Sequence, residues 1–195
     1  KLDPHIQLKE KPDEEARILN ILNPVVKKWF FGRFKSFSLP QLYAVYDIHC
    51  RQNILVSAPT GATKTLTGFL SILNELVDLS QKKVLEDRIY CVYISPLKAL
   101  NYDIQHNLKT PLQEIDDILE GQLGIRVGVR TGDTTPKERT KMAEVPPHIL
   151  ITTPESLAIL LQQTSFRNHM RNVEWLIVDE IHALARGQEK DSKGP

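Results

Sequence analysis

Cysteine is scarce in this sequence of 195 residues, in which Cys50 and Cys91 lie far apart and form no CxxC pair. This scarcity argues against a disulfide scaffold and against a zinc site built from paired cysteines, and it favours a reduced intracellular compartment. The sequence also lacks an apolar signal core at its N-terminus and any uninterrupted apolar run near the roughly 20 residues that a bilayer requires. We therefore expect a soluble protein with no membrane partner.

Net charge is also nearly absent, because 25 Lys and Arg residues offset 24 Asp and Glu residues and leave +1. No overall field points to nucleic acid, and binding of that kind would depend on local placement of charge. We find no internal repeat of fixed period and no low-complexity segment. A hydrophobic content of 41% and a charged content of 25% are typical of a soluble globular domain and exclude a disordered or fibrous chain.

Short apolar runs alternate with helical periodicity from residue 52 onward. The runs predict strands at residues 53–57, 89–95, 125–129, 149–152 and 175–178. Their apolar character is continuous rather than alternating, as expected for strands that helices cover on both faces. The predicted fold class is therefore α/β, with a mostly parallel, doubly wound sheet.

Helices are predicted by independent signals. Residues 64–79 place their apolar side chains on one face broad enough to cover a sheet. Thr135 and Thr153 are each followed by proline, which is typical of a helix N-cap. Upstream, Asp13 is the expected N-cap of a short helix that ends before Asn23.

Aromatic and basic residues are interleaved over residues 25–34. Such a segment can stack bases and hold phosphates, but we favour a second interpretation, in which it docks a flanking helix onto the main domain. We expect an N-terminal arm with flanking helices at residues 1–33 and the main domain at residues 34–195.

A candidate phosphate-binding loop, Ala-Pro-Thr-Gly-Ala-Thr-Lys-Thr, occupies residues 58–65 between the first predicted strand and the long helix. In that context backbone N–H groups and the helix N-terminus face phosphates. Lys64 would reach the β and γ phosphates, and the Thr65 hydroxyl would hold Mg²⁺. The loop departs from the usual pattern at Ala58 and Thr63, where glycine is expected, and a β-branched residue is costly where the backbone needs positive φ.

A pair of carboxylates, Asp179 and Glu180, follows the last predicted strand directly. A buried strand would deliver Asp179 to the sheet edge where the phosphates lie, so that it could bind Mg²⁺, while Glu180 would orient the attacking water. One such pair alone could be an exposed acidic turn. Its occurrence together with the candidate phosphate-binding loop makes that alternative much weaker.

Four further stretches follow in order: SPLKALN at 95–101, RTGDT at 130–134, TTPESL at 152–157 and DEIH at 179–182. With the segment from Asn23 to Gln41 and the phosphate loop, they resemble the first RecA-like domain of superfamily 2 helicases of the DExH type. The sequence is most similar to the Lhr (large helicase-related) family of archaea and bacteria. The resemblance covers roughly residues 22–186.

The resemblance implies that ATP and Mg²⁺ are the cofactors, with Gln41 at the adenine edge and an upstream aromatic, Phe34, stacked on the base. The implied nucleotide-binding residues are Phe34, Gln41, Pro59, Thr60, Gly61, Ala62, Thr63, Lys64 and Thr65. The implied metal ligands are Thr65 and Asp179, and the implied catalytic residues are Lys64, Asp179, Glu180 and His182, of which His182 couples the ATP site to the nucleic-acid face.

The resemblance implies that the phosphates of a nucleic-acid strand are contacted by Lys98, Arg130 and Thr153. Residues just past the ends of β-strands and at the starts of helices present N–H groups and positively charged side chains. Taken singly, Lys98 and Arg130 could be ordinary solvated charges, and Thr153 could be only a helix cap.

The implied function is that of an ATP-dependent DNA helicase or translocase moving 3′ to 5′ on single-stranded DNA, in a prokaryotic cytoplasm. Two alternatives stay open: an RNA helicase of the same superfamily, and a non-catalytic nucleotide-binding interaction module. The sequence ends soon after Asp179, so we expect a second RecA-like domain of the full-length chain as a partner. That domain would carry arginine fingers worth about 10³ to 10⁵ in rate, so the fragment alone should be poorly active.

Thr63 provides a test of the phosphate loop. We predict that Thr63→Gly tightens ATP·Mg²⁺ binding, because it relieves crowding at the phosphate. Calorimetric titration of both proteins measures the difference. Equal affinities would show that the loop accommodates threonine without strain.

Overall fold

The computed structural model describes residues 6–58, 63–96 and 104–182. Four helices precede the first strand: α1 Glu15–Ile21, α2 Pro24–Arg33, α3 Leu39–His49 and α4 Thr63–Gln81. The remaining elements are β1 Cys91–Ile94, a π-helical turn Gln105–Lys109 that continues into α5 Thr110–Ile118, β2 Val127–Arg130, α6 Pro136–Glu144, β3 Ile149–Thr152, α7 Pro154–Gln162, α8 Thr164–His169 and β4 Trp175–Val178.

The four described strands form one parallel sheet in the order β2-β3-β1-β4. β1 is flanked on both sides, with Ile94 opposite Thr152 of β3 and opposite Val178 of β4. Because every strand runs the same way, all four carboxyl ends meet at one edge of the sheet. The parallel sheet predicted from the continuous apolar runs is confirmed.

Two hydrophobic clusters show that helices cover both faces of the sheet. One face, which includes Tyr93, packs against α1 to α5, and its cluster extends from Ile18 to Trp175. The other face, which includes Val92 and Leu150, packs against α6, α7 and α8. On this second face β4 is only partly covered by helices, because its Leu176 side chain is 62% exposed to solvent.

Helix α4 matches the helix predicted over residues 64–79 and extends it to Thr63–Gln81. The predicted apolar stripe is buried in full: Leu66, Phe69, Leu70, Leu73, Leu76 and Val77. Burial of each of these six large side chains stabilises the fold by about 1.5 to 3 kcal/mol, so α4 contributes strongly to packing against the sheet. Within the described ranges, no helix has the length and apolar character needed to cross a membrane.

The N-terminal helices dock on the sheet domain, as favoured for residues 25–34. Trp29 and Phe30 are buried, and the Trp29 indole Nε1–H donates to Glu114 of α5 at 2.7 Å. Asn74 of α4 accepts a hydrogen bond from the Asn23 N–H at 2.6 Å, which ties the start of α2 to α4. Packing therefore accounts for Trp29 and Phe30.

The predicted N-cap at Asp13 is wrong. α1 begins at Glu15, its N-cap residue is Glu14, and no side chain caps it. The Asp13 carboxylate pairs instead with Lys9 at 2.6 Å and with Arg17 at 2.9 Å. The caps at Thr135 and Thr153 are confirmed, since each side chain accepts a hydrogen bond from a backbone N–H of the first helical turn.

The predicted strand at residues 53–57 is also wrong. This segment lies outside the four-stranded sheet of the described residues, and Leu55 is 76% exposed. An apolar run becomes a strand only when a neighbour completes its backbone hydrogen bonds. A cleft lies between this segment and β4.

His148, just before β3, is a buried histidine whose side chain is used structurally. It is 1% exposed, and its Nδ1 accepts a hydrogen bond from the Arg126 N–H at 2.9 Å. Burial and then the positive charge of Arg126 lower the pKa of His148 to about 4. The folded protein therefore keeps this imidazole neutral under ordinary conditions.

We predict that acid destabilises the fold through His148. Between pH 6.5 and 4 the unfolded chain binds a proton that the folded chain does not, so the free energy of unfolding falls as pH falls through this window. The loss should approach about 3 kcal/mol. Urea unfolding from pH 7.5 to 4.5 measures it. His148→Asn keeps an acceptor near the Nδ1 position without titrating there, so its profile should be flatter, and an unchanged slope would contradict the assignment.

Candidate functional site

A cleft of about 730 Å³ runs along β4, from Glu174 at its amino end to the residues just past its carboxyl end, and is bounded by the first turns of α4 and the segment at residues 52–58. Five residues that the sequence predicts as functional contribute to its walls: Lys64, Thr65, Asp179, Glu180 and His182. They come from two elements more than 100 residues apart in sequence. The fold brings them together, because α4 packs on one face of the sheet and β4 is an outer strand of that sheet.

Lys64 lies in the first turn of α4, where its Nζ donates to the carbonyl oxygen of Ala58 at 2.9 Å. The side chain thus reaches back from the helix to the start of the predicted phosphate loop. The predicted loop residues Pro59, Thr60, Gly61 and Ala62 lie outside the described residues, as does the side chain of Thr63. An ammonium group beside a helix N-terminus suits an anionic phosphate ligand.

Asp179 continues the β1–β4 ladder by one residue, since its N–H donates to the Ile94 carbonyl at 2.9 Å. Its carboxylate is half-buried and held at both oxygens. Oδ1 accepts from the Glu180 N–H at 2.8 Å, and Oδ2 accepts from the Tyr93 hydroxyl at 2.5 Å. The carboxylate is therefore oriented by the protein itself.

Glu180 has a left-handed backbone, with φ +51°. This region is uncommon for residues other than glycine, and such outliers concentrate at functional sites. Its Oε2 lies 3.0 Å from Nε2 of His182, so the two predicted residues are in contact. The turn presents both side chains to the same cleft.

Hard cations prefer oxygen ligands, and the oxygens of Asp179 and Thr65 on the cleft wall match that preference. No group of three or more His, Cys, Asp or Glu side chains in the described ranges could hold a metal by itself. Mg²⁺ usually binds through one or two protein groups plus phosphates and water, so these residues fit a nucleotide-bound Mg²⁺.

Arg51 anchors the far wall of the cleft and was not predicted. Its guanidinium makes two bonds of 2.6 Å to Glu75 of α4 and one of 2.5 Å to Glu174, and it stacks over Trp175 with 4.0 Å between Cζ and the ring centroid. The segment at residues 52–58 is thus tied at its start to both α4 and β4. No sequence signal identifies this clamp, because its partners are distant in the chain.

A second group of polar residues lies at the same edge, at the ends of β2 and β3. Arg130 is 5% exposed, and its Nε finds no hydrogen-bond partner among the described residues. Burial, and then the charge of Arg139, lower the pKa of Arg130. An unpaired buried donor beside a second cation is a favourable place for an anion. Arg139, which the sequence did not indicate, donates to the carbonyls of Thr134 and Gly132 at 2.7 and 3.0 Å.

Thr153 occupies the neighbouring position, buried at the start of α7. Its hydroxyl accepts from the Ser156 N–H at 3.3 Å, which is the capping role that sequence alone left open. The N-terminus of α7 therefore faces the same edge as Arg130. The predicted contact Lys98 lies outside the described residues.

Phe34 and Gln41 are set apart from this group, since neither is among the described residues that line the cleft. Gln41 is buried in the first turn of α3, where its Oε1 accepts from the Ser38 N–H at 2.8 Å and completes a capping box. The Phe34 ring packs against Phe30, with centroids 4.9 Å apart. Their predicted contacts with adenine stay predictions.

Comparison with known proteins agrees with this architecture of a nucleotide-binding α/β domain. The family model described as DEAD/DEAH box helicase matches residues 38–193. The chain therefore belongs to the DEAD/DEAH box helicase family.

Several relatives are helicases of the Lhr type. The chain is 52% identical over 183 residues to the ATP-dependent helicase Lhr-Core of Methanothermobacter thermautotrophicus, covering 92% of this chain and 21% of that protein. It is 39% identical to the Lhr helicase/uracil glycosylase of Escherichia coli, covering 90% of this chain and 12% of that protein. The expected resemblance to the Lhr family is confirmed.

The fold is similar to that of the Mycobacterium smegmatis helicase Lhr, whose structure was solved bound to ssDNA and AMP-PNP. The TM-score is 0.73 at 39% identity, and the match covers 86% of this chain and 21% of that one. This likeness confirms the RecA-like fold expected from the sequence. The chain thus spans about a fifth of the length of two of these relatives and less of the third.

Proposed function

We propose that this chain is the ATP-binding motor lobe of an ATP-dependent DNA helicase or translocase that moves 3′ to 5′ along single-stranded nucleic acid. The observation that carries the proposal is the shared cleft, whose walls include Lys64 and Thr65 of α4 as well as Asp179 and Glu180, which directly follow β4. A phosphate-binding helix start facing a carboxylate pair is the arrangement that ATP hydrolysis requires. The names of the Lhr relatives support the same reading.

In this proposal Lys64 leaves the Ala58 carbonyl to bind the β and γ phosphates, and residues 59–63 surround them. Phe34 stacks on the adenine, and Gln41 bonds to its edge. Thr65 and Asp179 hold Mg²⁺, which when bound neutralises charge on the transferring phosphoryl group. The mycobacterial Lhr helicase, solved with AMP-PNP, gives a precedent for nucleotide binding.

Glu180 orients the attacking water in this proposal. The assignment is supported by its position in the lining of the same cleft as Lys64. The contact between Glu180 and His182, at 3.0 Å, supports a route by which the state of the nucleotide reaches the rest of the domain.

Arg130, Thr153 and Lys98 hold the phosphates of the strand. The buried, unpartnered Nε of Arg130 and the N-terminus of α7 support this role, because both favour an anion. Contacts of this kind grip a strand without reading its bases. DNA is preferred over RNA in the proposal because the Lhr helicase from Mycobacterium smegmatis was solved with ssDNA.

A second RecA-like domain of the full-length protein completes the site with arginine fingers. The greater length of the relatives supports this partner. A non-catalytic interaction module is disfavoured, because the charged residues Lys64, Asp179 and Glu180 line the same cleft.

We predict that Glu180→Gln in the full-length protein lowers the ATPase rate by about 10² to 10⁴ while ATP affinity changes little, since the amide cannot act as a base but retains the shape. Steady-state ATPase assays and calorimetry measure the two quantities. Glu144→Gln, at the exposed end of α6, is the matched control and should behave as wild type. Retained turnover in Glu180→Gln would refute the role.

The same ATPase assay, run with single-stranded DNA or with RNA of the same sequence, tests the polymer. Stimulation by DNA above that by RNA supports the proposal. Stronger stimulation by RNA would replace it with an RNA helicase, and absence of hydrolysis with either would favour the non-catalytic module.

We predict that Arg130→Gln weakens binding of single-stranded DNA and makes it less salt-dependent. Loss of one phosphate contact on a single strand should reduce the slope of log affinity against log salt by about 0.7. Fluorescence anisotropy over a salt series measures it. Arg171→Gln, on the exposed turn before β4, removes the same charge from the other edge of the sheet and should leave the slope unchanged. Equal slopes for the two variants would contradict the assignment.

A further inference from the structure

The hydroxyl of Tyr93 is a buried polar group with a functional neighbour. Tyr93 lies in the central strand β1 and is 1% exposed. Its hydroxyl donates to Oδ2 of Asp179 at 2.5 Å, and its side chain lines the same cleft as Lys64. A buried tyrosine hydroxyl needs a partner, and here the partner is the carboxylate at the end of the adjacent strand.

Geometry limits the freedom of the Asp179 side chain. In the β1–β4 register Tyr93 is opposite Ile177, and Ile177 precedes Asp179 by two residues. The Tyr93 hydroxyl holds Oδ2, and the Glu180 N–H holds Oδ1. An ionised carboxylate has about four acceptor positions, so each oxygen keeps one for another ligand.

The ring of Tyr93 is itself held in place by α4. It packs against the buried ring of Phe69, with centroids 5.3 Å apart and an angle of 31° between planes. Phe69 lies in the same helix as Lys64 and Thr65. The Tyr93 side chain therefore links the helix that begins at the phosphate loop to the carboxylate on the opposite wall.

We propose that Tyr93 is a positioning residue for Asp179, whose hydroxyl fixes the carboxylate in the orientation that binds a divalent cation with the nucleotide. This inference rests on the proposed role of Asp179 as a metal ligand. Outer-shell hydrogen bonds of this kind orient metal ligands, and their removal typically costs about 10-fold to 100-fold in metal affinity.

The test removes the hydroxyl alone. In the full-length protein, Tyr93→Phe should raise the Kd for Mn²⁺, measured by electron paramagnetic resonance with saturating ADP, by about 10-fold or more. The Mg²⁺ concentration that gives half-maximal ATPase should rise in parallel, and the rate should recover at saturating Mg²⁺. ADP affinity in EDTA should match wild type, because Tyr93 acts on the metal ligand.

A matched control is available three residues away. Tyr90 is also 1% exposed, and its hydroxyl accepts from the Glu86 N–H at 3.0 Å near the amino end of β1. Tyr90→Phe removes a tyrosine hydroxyl near the amino end of β1, away from the Asp179 carboxylate. It should leave the Mn²⁺ affinity unchanged, so a shift of equal size in both variants would mean that Tyr93 serves only fold stability.

Asp179→Asn separates failure of this inference from failure of the proposed function. If Asp179→Asn binds Mn²⁺ as wild type does, the assignment of Asp179 as a ligand fails. If Asp179→Asn loses Mn²⁺ but Tyr93→Phe retains wild-type affinity, only the positioning role of Tyr93 is overturned. Thermal melting in EDTA confirms that all variants are folded before the comparison.

Discussion

The parallel pairing of β1 with β4 is the constraint on which the candidate site depends. It sets Ile94 opposite Val178, and the Asp179 N–H extends the ladder by donating to the Ile94 carbonyl. Because β1 is also paired with β3, its position in the sheet is held from both sides. A shift of one residue in this register would carry the Asp179 carboxylate away from Tyr93 and turn its side chain to the other face of the sheet.

The two edges of the sheet are chemically different although the whole chain is nearly neutral. The carboxyl edge gathers Lys64, Arg130 and the N-termini of α4 and α7, together with the carboxylate pair that begins at Asp179. At the amino edge two arginines are paired with an acid, since Glu174 binds both Arg51 and Arg88. A net charge of +1 therefore conceals a local arrangement suited to phosphates.

Much of the fold follows from short-range patterns. The stripe on α4 is buried as its spacing predicts, and the caps at Thr135 and Thr153 form within one helical turn. The two errors concern groups whose actual partners the local pattern did not specify. Asp13 satisfies Lys9 and Arg17 instead of capping α1, and residues 53–57 have the composition of a strand without a described neighbour to pair with.

By itself, the sequence predicted α4, the helix caps at Thr135 and Thr153 and, among its five apolar runs, the four that form strands, because period and turn chemistry are local properties. It also identified Lys64, Thr65, Asp179 and Glu180 as candidates, since each stands at the end of a strand or the start of a helix. Tertiary structure alone decided the strand order, the Arg51 clamp and the hydrogen bond from Tyr93 to Asp179. These depend on which side chains meet across many tens of residues, and no local pattern encodes such a meeting.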